Sequence, residues 1–146
     1  MLLSLSLWLG GIIFFTAVEA PVILNHVHDK TLGGEIINQS LGKLHWLGII
    51  CGLVFLLASL LRGFFSSENR KLLTLPHFLV VVMLAATAVS QHFILPAIAQ
   101  VREAQANSTE TQFQHLHNWS VGLESIALLL GLVLLYLQAC DVGDRR

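Results

Sequence analysis

The sequence predicts an all-α membrane protein, a bundle of four antiparallel transmembrane helices that forms one domain over residues 1–146. The first reason is composition: 55% of the residues are hydrophobic and only 12% are charged, whereas about a quarter are charged in soluble domains. The second is that four apolar runs are each long enough to cross a hydrocarbon core, which takes about 20 helical residues. The third is length, since 146 residues suit a single domain.

The first apolar run, Leu2–Leu24, is expected to be a retained helix. No Lys or Arg precedes it, and Pro21 directly after Ala20 is a poor context for signal-peptide cleavage. Glu19 interrupts the run, and Pro21 removes a backbone N–H donor two residues later. We therefore predict a kink or a loosened turn at this point.

The first connection, residues 25–43, keeps apolar residues at helical spacing. It is predicted to hold an amphipathic helix that lies on the membrane surface or leads into the second run, Leu44–Leu61. Within that run Gly48 and Gly52 form a pair of the kind that lets another helix approach closely. The polar segment Ser66–Lys71 is predicted to be a short turn between antiparallel neighbours.

The third run, Leu72–Ala97, accepts Pro76 in its first turn, where the missing N–H costs little. Helix-favouring polar residues follow it as far as Asn107, so this helix is expected to project from the membrane. The fourth run, Leu116–Leu137, is expected to follow a polar loop that carries His115.

The charge distribution predicts the orientation. With four spans, five Lys and Arg residues fall on the side of the two termini and three fall on the other side. This excess predicts both termini in the cytoplasm, as for a protein of a bacterial inner membrane. The net charge of -1 and the absence of a Lys/Arg patch exclude nucleic acid as a partner. The expected partners are the lipid bilayer and a second copy or a larger membrane complex.

Ionisable side chains gather at the predicted non-cytoplasmic ends of the runs, where six of the seven histidines fall. Each helix contributes at least one ionisable group at a similar depth, and the expected inward set is Glu19, His45, His92, His117 and Glu124. Helical spacing of three and seven residues also puts Ser120 on the face of His117 and Glu124. Two amides are expected to support this set, Gln91 and Asn118. The predicted interfacial residues are His26, His28, His115, Trp8, Trp46 and Trp119.

Such a cluster has several chemical interpretations, because carboxylates inside membrane helices are costly and face the bundle interior, a wet cavity or a partner. The three imidazoles and two carboxylates suit a metal ion such as zinc, iron, copper or manganese. Alternatively, two of the inward histidines hold a haem between helices. The groups also suit proton or cation transport by an oligomer, or a purely structural network.

The sequence contains no HExxH, CxxCH, GxSxG or nucleotide-binding glycine loop, so a non-enzymatic role is expected. Polar residues are sparse in the predicted cytoplasmic halves, which favours a one-sided site over a transport route. The leading prediction is therefore a membrane protein that binds a metal ion or haem as an accessory subunit, and a transporter is the alternative.

Four motifs spread over most of the chain carry a resemblance, namely WLGGIIFFTAVEAPVI, LGKLHWLGIICGL, ILP and FQHLHNWSVGLES. The chain resembles the transmembrane-protein-205-like family of small membrane proteins. The family's motif residues match His45, Phe113, His117 and Ser120, whereas Glu124 stands where the family pattern has an Asn. The resemblance implies a four-helix membrane bundle. A eukaryotic member is associated with resistance to a platinum drug, which implies handling of metals or small molecules.

Overall fold

The computed structural model describes residues 1–65, 75–103 and 110–143, and almost all of them are helical. The predicted all-α class is therefore confirmed. Four helices are long and apolar enough to cross a membrane, and we call them the first to fourth spans: Leu2–His26, Thr31–Arg62, Leu75–Val101 and Gln114–Cys140. The predicted turn Ser66–Lys71 and the predicted end of the third helix at Asn107 lie outside the described residues.

The first span contains helix α1 (Leu2–Phe14), a π-turn that we call π1 (Phe15–Glu19) and helix α2 (Ala20–His26). The third span repeats this order, with α4 (Leu75–Val89), a second π-turn π2 (Ser90–Ile94) and α5 (Leu95–Glu103). The second and fourth spans are single long helices, α3 (Lys30–Phe65) and α6 (Glu110–Gly143).

Both π-turns end two residues before a proline. In π1 the N–H of Ala20 bonds to the carbonyl of Phe15, just before Pro21. In π2 the N–H of Leu95 bonds to the carbonyl of Ser90, just before Pro96. A proline inside a helix lacks its N–H and its ring clashes with the carbonyl four residues earlier, and a wider turn accommodates that clash. The loosened turn predicted near Pro21 is thus present.

The first connection takes the second of its two predicted forms, a helix that leads into the second run. Only residues 27–29 separate α2 from α3, and the rest of the segment forms the first turns of α3. Asp29 starts that helix: its Oδ1 accepts the backbone N–H of Thr31 at 2.8 Å and of Leu32 at 3.3 Å, which satisfies donors at the helix end. The predicted loop around His115 is wrong, since α6 is already helical from Glu110.

Each span packs against the next one along the chain, and the fourth also packs against the first. The four spans therefore form a closed ring in which the second and fourth lie diagonally across the interior. We call the half nearer the two termini the proximal half and the other the distal half. A hydrophobic core cluster fills much of the proximal half, with buried residues from all four spans that include Leu5, Ile12, Phe55, Met83 and Leu134. Large apolar side chains such as Leu3, Phe78, Phe93 and Tyr136 cover the outside, which suits a lipid environment.

Close packing of the first two spans depends on the predicted glycine pair. A Cβ atom on Gly48 would overlap the indole ring of Trp8, and one on Gly52 would lie 2.6 Å from Leu84 Cδ2 and 3.1 Å from the same indole. The glycines therefore make room for Trp8, which is only 1% exposed. The interfacial position predicted for Trp8 is wrong for this reason, whereas Trp46 and Trp119 are exposed.

Candidate functional site

The candidate site is a triad of polar side chains in contact with one another across the distal half. His45 of α3 is 2% exposed, and its two ring nitrogens contact two other helices. His45 Nδ1 lies 3.1 Å from Oε1 of Gln91 in π2. His45 Nε2 contacts Oε1 of Glu124 in α6. The triad Glu124–His45–Gln91 thus joins the second, third and fourth spans, and its Glu124–His45 contact runs diagonally across the ring of spans.

The π-turn determines which residue of the third span reaches His45. Gln91 is half-buried and bonds to His45, while the next residue, His92, is exposed. The extra residue of a π-turn changes the direction of the side chains relative to regular α-helical spacing, so helical periodicity misplaces His92. The predicted inward position of His92 is wrong, and Gln91, predicted to support the site, makes the contact. The buried hydroxyl of Ser90 in the same turn has no hydrogen-bond partner in the described part of the chain.

A cavity of about 240 Å³ lies beside this triad, between the first span, the start of α3 and the fourth span. Glu124 borders it, and 13% of the Glu124 side-chain surface is exposed. Most of the lining is apolar, with Ile12, Phe15, Leu41 and Leu128 among its residues. A few polar groups interrupt this lining: Thr16, Asn38, His117, Ser120, Glu124 and Ser125.

The other predicted site residues take different positions. Ser120 is buried and borders the cavity, one turn before Glu124. His117 is exposed rather than inward, yet it also borders the cavity, so it lies at the mouth. Asn118 is exposed. Glu19 is half-buried in π1 and is not among the described residues that line the cavity.

The structure brings together two of the five predicted metal ligands, His45 and Glu124. Within residues 1–65, 75–103 and 110–143, no group of three or more His, Cys, Asp or Glu side chains is arranged to hold a metal ion. Both ring nitrogens of His45 are already engaged by Gln91 and Glu124. A metal ion or a haem iron could bind His45 only by displacing one of these partners, because each ring nitrogen offers one bonding direction.

Sequence reasoning did not select three polar residues that line the cavity, Thr16, Asn38 and Ser125. A signal for one of them was available, since Asn38 lies seven residues before His45 and so occupies the same helical face. Thr16 carried none, because its position depends on π1. Its hydroxyl donates to the carbonyl of Ile12 at 2.7 Å.

Four apolar spans around a triad of polar side chains define the class of this molecule, which is a multi-pass helical membrane protein. The chain belongs to the family described as Domain of unknown function (DUF4149), whose model matches residues 3–107. This range includes His45 and Gln91 and ends before Glu124. No curated protein and no solved structure matches the chain. The resemblance to transmembrane-protein-205-like proteins stays a prediction.

Proposed function

We propose that this chain is a non-enzymatic membrane protein that binds a small amphiphilic molecule in the distal cavity, with the Glu124 carboxyl group as the polar anchor. The observation that carries the proposal is the position of Glu124. This carboxyl group borders a largely apolar cavity and is held in place by a buried histidine. Ligand pockets in proteins commonly combine an apolar lining with a few placed polar groups.

The size and lining of the cavity indicate the ligand class. A volume of about 240 Å³ equals the share of roughly eight water molecules in the liquid, so it accommodates a headgroup and the first part of one alkyl chain. The exposed residues Leu24, Val121 and Ser125 border the cavity, which leaves an opening through which a longer chain extends into lipid. A carboxylate anchor favours a cationic head, and we therefore propose a single-chain primary amine.

The proposal is tested by native mass spectrometry of the protein in detergent, with dodecylamine as the probe. We expect one dodecylamine per chain, and at least a tenfold weaker affinity in Glu124→Ala, because a charge-assisted hydrogen bond contributes about 1.5–3 kcal/mol. Ala20→Phe, which fills the cavity from the first span, should also abolish binding. The same spectra report whether the chain forms a homo-oligomer, the partner that we propose besides lipid.

The matched control is Glu19→Gln, which removes another acidic residue in the distal half of a span, one that is not among the described residues lining the cavity. Its affinity for dodecylamine should equal that of the wild type. Equal binding by the wild type and Glu124→Ala would overturn the proposal, as would tighter binding of dodecanoate, which carries the opposite charge.

A metal ion or haem is the second candidate ligand, with a role as an accessory subunit. The direct contact of an imidazole and a carboxylate, His45 and Glu124, supports it, since both groups are common ligands. The exposed position of His92 counts against the full predicted set. An absorption spectrum and elemental analysis of gently purified protein test this candidate, and a colourless, metal-free protein would contradict it.

We also propose that both termini lie in the cytoplasm, so that the distal half faces outward from a bacterial inner membrane. The excess of Lys and Arg on the terminal side supports this orientation. Kinship with transmembrane-protein-205-like proteins is proposed on the shared motifs alone.

A further inference from the structure

We propose that the acyl chain of a membrane phospholipid docks in the space between the fourth span and the distal half of the first span, which we call the lateral gap. The acyl chain enters the cavity sideways from the bilayer through this gap, and not from the water at the His117 end. This inference does not rest on the amine proposed above, because it concerns the opening of the cavity and not the Glu124 carboxyl group.

The lateral gap begins at the irregular turn of the first span. In the proximal half α1 packs tightly against α6, since a Cβ atom on Gly131 would overlap the side chain of Leu9. After π1 the span continues as α2, which packs against α3, and within the described residues neither π1 nor α2 packs closely against α6. Helices change course at prolines and π-turns, and the first span separates from α6 at the π-turn before Pro21.

The cavity reaches the outer surface of the bundle along the lateral gap. Besides His117 at the mouth, four of its lining residues are exposed, namely Thr16 and Leu24 of the first span and Val121 and Ser125 of the fourth. A lining residue that is also exposed marks a place where the cavity meets the surface. Leu24 comes eight residues after Thr16, so the gap extends about 12 Å along the span.

The lateral gap lies at the depth of the lipid acyl chains. The fourth span has 27 residues, Gln114–Cys140, and about 20 helical residues cross the hydrocarbon core. Val121 and Ser125 come seven and eleven residues after Gln114, which places both inside the core when the span is centred on it. The gap therefore faces hydrocarbon and not water.

The polar groups at the edges of the lateral gap are compatible with an apolar occupant. Thr16 Oγ1 donates to the carbonyl of Ile12 at 2.7 Å, and Ser125 Oγ donates to the carbonyl of Val121 at 2.7 Å. Both hydroxyl donors are thus satisfied within their own helices, as the absence of water in the bilayer core requires. An acyl chain that passes between them displaces no hydrogen bond of either donor.

The size of the cavity favours an acyl chain over a helix from a second copy of the protein. An α-helix is at least about 10 Å wide, so a length of about 12 Å takes up roughly 900 Å³, whereas the cavity measures about 240 Å³. A methylene group is about as large as a water molecule, whose share of the liquid is about 30 Å³. The cavity thus holds roughly eight carbons of one acyl chain, and the rest of the lipid stays in the bilayer.

The test is photolabelling of the full chain in nanodiscs that contain phosphatidylcholine with a diazirine in the middle of one acyl chain. Mass spectrometry of peptides identifies the labelled residues. We expect label on Phe15 and Leu41, which are buried but line the cavity, in addition to label on lipid-exposed residues. Phe55, which is buried in the hydrophobic core, should remain unlabelled.

The lateral gap is closed by Ser125→Phe, which places a large side chain at its edge. Labelling of Phe15 and Leu41 should then fall to the level of Phe55. The matched control is Ser6→Phe, the same substitution at an exposed serine in the proximal half of the first span, and it should leave the labelling of Phe15 and Leu41 unchanged.

Glu124→Ala separates this inference from the proposed function, because it should lose dodecylamine and still be labelled at Phe15 and Leu41. Phosphatidylcholine has no primary amine, so its entry does not need the carboxyl group. The inference is overturned if wild-type Phe15 and Leu41 are labelled no more than Phe55, or if Ser125→Phe leaves their labelling unchanged. A wild type that is labelled at Phe15 and Leu41 but binds no dodecylamine would overturn the proposed function and support the lateral entry of lipid.

Discussion

His45 is the residue on which the distal half of the bundle depends. It is buried between three helices and makes hydrogen bonds through both ring nitrogens. Inside a bilayer water cannot replace a lost partner, so polar groups must be satisfied by protein. Removal of His45 therefore leaves two other polar groups, those of Gln91 and Glu124, without their partner.

We expect His45→Leu to lower the free energy of unfolding by about 1–3 kcal/mol, the cost of leaving buried polar groups unsatisfied. Glu124→Leu should have an effect of similar size. The double variant should lose less than the sum of the two, by about 0.5–3 kcal/mol, because residues in direct contact are not additive. Thermal or denaturant unfolding in detergent measures all four proteins of the cycle.

The control for this cycle is His92→Leu. His92 is exposed on the outside of the third span, so its replacement should change stability little and should be additive with Glu124→Leu. Additive losses for His45→Leu and Glu124→Leu would contradict the contact between their side chains.

At the scale of the helices, close approach depends on particular glycines. Gly48 faces the indole of Trp8 with no space for a side chain, whereas Gly122 on α6 has no atom within 4 Å of the position of an added Cβ. Both residues lie within helices, where Ala is favoured over Gly by up to about 1 kcal/mol. Alanine substitutions at the two sites therefore separate the effect of packing on stability from the effect of helix propensity.

We expect Gly48→Ala to destabilise the bundle by about 1–3 kcal/mol, the usual cost of overpacking a dense interior. Gly122→Ala should be neutral or slightly stabilising. Unfolding in the same detergent compares the two, and the tryptophan fluorescence of Gly48→Ala should also shift as Trp8 moves. A stabilised Gly48→Ala would show that the first and second spans are not held as closely as described.

The helices also show how much of the structure the sequence could predict. Hydropathy was sufficient for the four spans, and the polar residues His45, Ser120 and Glu124 were expected to face inward and do so. Periodicity failed at His92 because it assumes regular α-helical spacing, and π2 changes that spacing just before Pro96. A proline signals an irregular turn without specifying its form, so the choice between Gln91 and His92 required the structure.

At the scale of the whole molecule, the proximal and distal halves should lie toward opposite sides of the membrane, and cysteine labelling can detect which half faces outward. Cys140, near the proximal end of the fourth span, is exposed and Cys51 is buried. If the termini lie in the cytoplasm, as we propose, a membrane-impermeant maleimide should label Cys140 only after intact cells are made permeable. In Cys140→Ser, a cysteine introduced as His28→Cys in the exposed connection after the first span should be labelled in intact cells. The reverse pattern would place the distal cavity toward the cytoplasm.

The repeated π-turn gives the molecule an internal correspondence. When FTAVEAP of the first span and SQHFILP of the third are aligned on their prolines, Thr16 falls opposite Gln91. Thr16 borders the cavity, and Gln91 bonds to His45. The first and third spans thus use the same backbone irregularity for different purposes. In the first span it places Thr16 beside the cavity, and in the third it directs an amide toward a histidine.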